Sequence, residues 1–174
     1  TQSVEIQAVG RDGSTMRAAT FFTYSDRSFG SHPVWAELQP GASGHWVVTD
    51  TGAVTASGSA AHHGGVGHLR LAEPIVAMQS TRTGDGYWMV ARDGGVFSFG
   101  DAVFHGSAGG EQLRGVAVAI ERTRSGNGYW IVTSAGEVRA YGDAKHHGDL
   151  TRYTLAAPVV DIARSPDGRG YWLV

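Results

Sequence analysis

"GDGYWMVARDGGVFSFGDAVFHGS", residues 84–107, breaks into short apolar runs cut by Gly and Asp. "YWMVA" (87–91) stops at "RDGG", "VFSF" (96–99) stops at "GDA", and "VFHGS" (103–107) runs toward a Gly-Gly pair. One further run, "PIVAM" (74–78), stands upstream of the polar turn "QSTRTGDG". Each run is four or five residues long and rich in β-branched or aromatic side chains, which reads as a strand. Asp-Gly between runs is hairpin-turn chemistry, because glycine accepts positive φ. Both alternating faces of "YWMV" are apolar, so that strand is covered on both sides. Helical spacing is absent.

The stretch is one copy of a repeat. Trp46, Trp88, Trp130 and Trp172 are each 42 residues apart. Gly44, Gly86, Gly128 and Gly170 precede them by two. Gly52, Gly94 and Gly136 keep the same period, as do Val54, Val96 and Val138, and then Gly58, Gly100 and Gly142. His63, His105 and His147 do so too, each followed by Gly. A unit of this length holding four short antiparallel strands predicts one blade of a β-propeller. The fold class expected is therefore all-β, a propeller of about four blades, with the Trp filling the gap between neighbouring blades.

The whole chain, 1–174, reads as a single domain. Residues 31–72, 73–114 and 115–156 are full units, 157–174 is the opening of another, and 1–30 is a divergent partial unit. "GRDGSTMRA" (10–18) aligns with "ARDGGVFSF" (91–99), which puts Gln7 in the Trp place and Tyr24 in the place of the repeated His. A chain that opens on later strands and closes on early ones predicts a ring closed by its two ends, without free sheet edges. Both 4–9 and 171–174 resemble the second strand, so one of them is redundant in a four-bladed ring. A larger ring completed by further sequence or another subunit is the alternative.

Composition bounds the function. The formal net charge is −2, and the basic residues, thirteen Arg and Lys145, are scattered. That argues against a nucleic-acid footprint or an anionic membrane surface. Cys is absent, which excludes disulfides and thiolate zinc sites. No apolar run approaches the ~18 residues of a membrane span. Neither "GxSxG", "HExxH" nor a phosphate loop occurs. Catalysis needs a singular constellation, whereas the polar residues here recur with the units, so no enzyme activity, metal or cofactor is expected.

The motif resembles the "GYW-V", "DGG-F-FGDA" repeats of exported proteins from high-GC Gram-positive bacteria. The likeness is strong over 31–174 and weak over 2–30. It implies a secreted or surface-associated module that binds glycan or cell-wall polysaccharide. The first unit, with "TASGSAAHHGG" (55–65), lacks the aromatic and Asp of "FGDA".

Two sets of candidate residues follow. A lectin-like reading assigns ligand contact to His63, Asp101, His105, Tyr129, Tyr141, Asp143 and His147, with Phe104 as a further aromatic face. Sugar sites combine carboxylates with aromatic rings, and repetition would supply multivalency. The bland counterparts are a hydrogen-bonded His near a turn and an Asp capping one. An adaptor reading instead docks a partner protein on non-repeated residues, Phe21, Phe22, Tyr24, Phe29 and Trp35. Trp35 is read here as the counterpart of Val76, Val118 and Val160. The lectin reading predicts equivalent shallow pockets, one per good unit. The adaptor reading predicts one asymmetric surface.

Overall fold

The computed structural model describes residues 31–174 throughout and residues 2–9 and 15–22 as backbone strands. Thirteen strands are present and no helix forms among the described residues. Strands β1 (Gln2–Val9) and β2 (Thr15–Phe22) make an antiparallel hairpin. Strands β3 (Pro33–Leu38), β4 (His45–Thr49) and β5 (Val54–Ser57) form the first three-stranded sheet. Strands β6 (Ile75–Ser80), β7 (Gly86–Ala91) and β8 (Val96–Gly100) form the second. Strands β9 (Ala117–Arg122), β10 (Gly128–Thr133) and β11 (Val138–Gly142) form the third. Strands β12 (Ile162–Arg164) and β13 (Tyr171–Leu173) pair as the start of a fourth.

The repeat is kept in the pairing. Trp46 faces Ala56, Trp88 faces Ser98 and Trp130 faces Ala140. In the N-terminal hairpin Gln7 faces Arg17, the register the alignment of 10–18 with 91–99 requires. Each full sheet also has a bulge in its first strand, where one extra residue is left unpaired. That residue is Val34, Val76 or Val118. Alignment across the bulge corrects the reading of Trp35. It faces Val48 as Ala77 faces Val90 and Ala119 faces Val132, so its counterparts are the alanines.

Successive sheets touch through their first strands: β3 lies beside β6, β6 beside β9 and β9 beside β12. Their apolar faces make three seams. The first packs Trp46 and Val48 against Ile75, Met78, Tyr87 and Met89. The second packs Ala77, Trp88 and Val90 against Ile120, Tyr129 and Ile131. The third packs Ala119, Trp130 and Val132 against Val159 and Ile162. All six residues of β7, and all six of β10, are buried, as strands covered on both faces must be.

Four strands per unit were expected, and three form. The fourth run, Val103–Ser107, joins no sheet. Its backbone groups are taken by side chains. The Trp88 indole N–H donates to the Val103 carbonyl at 2.8 Å, and the Tyr129 hydroxyl donates to the Gly106 carbonyl at 2.5 Å. A ladder needs those same groups. Among the described residues each sheet touches the next in sequence, and closure into a propeller ring is not detected.

Candidate functional site

Each seam holds the same three-residue lock. The unit's Trp bonds the carbonyl fifteen residues on, at Ala61, Val103 or Lys145, over 2.7–2.8 Å. The next unit's Tyr87, Tyr129 or Tyr171 donates its hydroxyl to the carbonyl of Gly64, Gly106 or Gly148. The repeated His lies between them. His63 stands 6.3 Å from Trp46 and 5.8 Å from Tyr87 between ring centroids. His105 stands 6.5 Å from Trp88 and 5.7 Å from Tyr129, and His147 repeats this with Trp130 and Tyr171. The backbone N–H of His105 and of His147 donates to the same Tyr hydroxyl. Burial pushes the phenols of Tyr87 and Tyr129 above their ordinary value of 10.0, so they remain neutral donors. Gly106 follows its His with φ 138°, and a Cβ there would lie 2.4 Å from the Tyr141 ring. Only glycine lets the chain pass.

Five of the seven sugar-contact candidates lie in the seams. His63 lies in the first seam. His105, Tyr129 and Tyr141 come together in the second, where the two tyrosine rings are 5.7 Å apart. His147 belongs to the third. Among the described residues, Nε2 of His63 and of His105 is buried without a hydrogen-bond partner. Asp101 and Asp143 bond hydroxyls across the hairpin rather than turn N–H groups. Asp101 Oδ2 accepts from Thr83 at 2.5 Å, and Asp143 accepts from Thr123 and Ser125 at 2.8 and 2.5 Å. In the first unit Ser59 and Gln39 form the corresponding link at 3.0 Å. Phe104 is 56% exposed. Of the docking candidates, Phe21, Phe22, Tyr24 and Phe29 have side chains outside the described residues. Trp35 is partly buried and packs against both the first and second seams.

A partly buried polar row on the first strands escaped the sequence reading. Glu37 Oε1 accepts from Gln79 Nε2 at 2.8 Å, from the Ser80 N–H at 3.0 Å and from the Ser80 hydroxyl at 2.7 Å. One unit on, Gln79 Oε1 accepts from the Arg122 N–H at 3.4 Å. Glu121 pairs with Arg164 one unit further. The signal was present as polar residues 42 apart, Glu37, Gln79 and Glu121, inside otherwise apolar strands.

Although Glu37 keeps some surface, its carboxylate is enclosed. Burial pushes its pKa above the ordinary 4.5, against the Ser80 bonds that pull it down. A carboxyl raised on folding adds stability below its unfolded pKa and loses it as pH climbs through the folded one. Wild-type urea midpoints should therefore fall as pH rises from about 4.5 toward 7 relative to Glu37→Gln, which keeps an acceptor for Ser80. A variant with the wild-type pH slope would contradict this.

Two open clefts lie where the turn after the second strand meets the link to the next unit. One, of about 390 Å³, is lined by Arg114, Ser134, Thr151, Tyr153, Leu155 and Pro158, among others. The second, of about 460 Å³, is lined by Glu73, Arg92, Asp93, Glu111, Leu113 and Val116, with Gly115. They are the same place in successive units: Arg92 corresponds to Ser134, Glu111 to Tyr153, Leu113 to Leu155 and Val116 to Pro158. Tyr153 is 69% exposed, and Leu69 holds its place in the first unit at 51%. Neither Tyr153 nor Arg114 was singled out from sequence. The available signal was divergence, because these positions break an otherwise strict repeat.

Among the described residues no group of three or more His, Asp or Glu is placed to hold a metal ion. No family model matches the chain, and no curated protein matches it.

Proposed function

We propose that this chain is a non-catalytic, glycan-binding module of an exported, cell-surface protein, whose sheets are the blades of a β-propeller. One observation carries the reading: open clefts recur at the same place in successive units, while the strictly repeated residues between units are engaged in packing. Repetition builds the frame, and divergence at the cleft positions supplies recognition. Tyr153 offers an exposed ring for the apolar face of a sugar, and Arg114, Ser134 and Thr151 offer polar groups around it. Several weak clefts on one frame gain through effective concentration.

The ligand contacts thus move from the repeated His and Asp to the cleft linings. A panel of bacterial wall and host glycans, probed with wild type and Tyr153→Ala, tests this. The variant should fold normally and bind about tenfold more weakly. Silence across the panel, or binding indifferent to Tyr153, would refute it.

The adaptor reading also has an observation in its favour. The two clefts share position but differ in chemistry, one rich in charge and one aromatic. Such asymmetry suits a partner protein laid across several units. Its mark would be a stoichiometric protein complex sensitive to Tyr153 and Glu111 together.

A further inference from the structure

We infer that the cleft around Tyr153 takes an acidic sugar, a uronic acid or a similar carboxylate-bearing residue. This rests on the glycan reading above and adds the charge of the ligand. Arg114 is the only charged side chain lining that cleft. Its backbone N–H donates to Glu137 Oε2 at 2.6 Å, and its Nη1 reaches the Thr151 carbonyl at 3.3 Å. The guanidinium is thereby held at the mouth with most of its five donors unspent on that bond. The nearby carboxylates are already engaged: Glu137 Oε1 lies 2.8 Å from Arg139 Nε, and Asp149 Oδ1 accepts from the Thr151 hydroxyl at 2.7 Å. A fixed, planar cation suits a carboxylate in two parallel hydrogen bonds, which a lysine point charge does not. The exposed Tyr153 ring, which lines the same cleft, would cover the pyranose face. The equivalent cleft one unit earlier supplies the contrast. There Glu73, Asp93 and Glu111 line the cleft beside Arg92, and although Arg139 pairs with Glu111 at 3.4 Å the lining stays net acidic, which disfavours an anion. Selection by charge is thus local to one cleft, and the net charge of −2 does not produce it.

The test compares a uronic-acid oligosaccharide with its carboxyl-reduced neutral counterpart by calorimetry, in wild type, Arg114→Gln and Tyr153→Ala. Wild type should prefer the acidic ligand by about tenfold at low salt, with the preference shrinking as salt is raised. Arg114→Gln should abolish the preference, bringing the acidic and neutral ligands to equal affinity. Tyr153→Ala should weaken both ligands alike. Equal affinity for the two ligands, still dependent on Tyr153, would overturn the acidic-sugar inference and leave the glycan reading standing. A preference that survives Arg114→Gln would overturn it too. Failure of wild type to bind either ligand or any member of the wider panel would overturn both.

Discussion

Trp88→Ala is expected to lower the unfolding free energy by about 3–5 kcal/mol, and Trp172→Ala by about 1 kcal/mol or less. The two indoles hold the same place in the repeat, 84 residues apart. Trp88 is 1% exposed and wedged between the second and third sheets, whereas Trp172 is 56% exposed. Removing Trp88 deletes a large apolar body that packing cannot refill, and it orphans the Val103 carbonyl. That carbonyl anchors the segment carrying His105 and Gly106, so the Tyr129 contacts should loosen as well. Trp172 makes no such anchor among the described residues, and its solvated side loses little. Urea titration of both variants decides the matter. Equal costs would mean that Trp172 is covered in solution by a surface equivalent to the next unit. A small cost at Trp88 would remove the seam as the source of cohesion.

What could be read from the sequence, and what could not, divides along one physical line. Strand positions, turn glycines and unit boundaries follow from local chemistry, which the 42-residue period repeats and so amplifies. The apolar run on both faces of β7 and β10 announced burial between two neighbours, and the structure has it. The fate of Val103–Ser107 was not legible, because its β-pattern is sound and the competition comes from indole and phenol groups of other strands. Trp35 was misplaced by one residue against the 42-residue period, which itself puts it at Ala77 and Ala119, and the strand pairing agrees. The His and Asp rows attracted attention because they repeat, and the structure sets His105 between Trp88 and Tyr129 and bonds Asp143 to Thr123 and Ser125. Tyr153 and Arg114 drew none, because positions that vary between units leave no pattern to detect.

The glycine of the "GYW" motif shows the same division in a form that mutation can read. Gly128→Ala is expected to cost about 3 kcal/mol, while Gly170→Ala should be neutral or stabilising by up to about 1 kcal/mol. Gly128 faces Gly142 at the end of the third strand. A Cβ on Gly128 would lie 2.4 Å from the Tyr141 carbonyl oxygen and 2.7 Å from the Asp143 nitrogen. Those are backbone atoms, and they cannot yield freely. The Asp143 N–H is bonded to the Asn127 carbonyl at 3.0 Å, and its carboxylate is bonded to Thr123 and Ser125. Gly86 is crowded in the same way by Phe99 and Asp101. At Gly170 the nearest atom to a built Cβ is the Ser165 hydroxyl, 4.0 Å away, and its φ is not left-handed. Alanine fits there and narrows the unfolded ensemble. Thermal melts of the two variants give the comparison. If Gly170→Ala destabilised as strongly as Gly128→Ala, a third strand would have to cross it in solution, supplied by another part of the chain or another copy. If both were tolerated, the crossing of β11 over Gly128 would not be what requires the glycine.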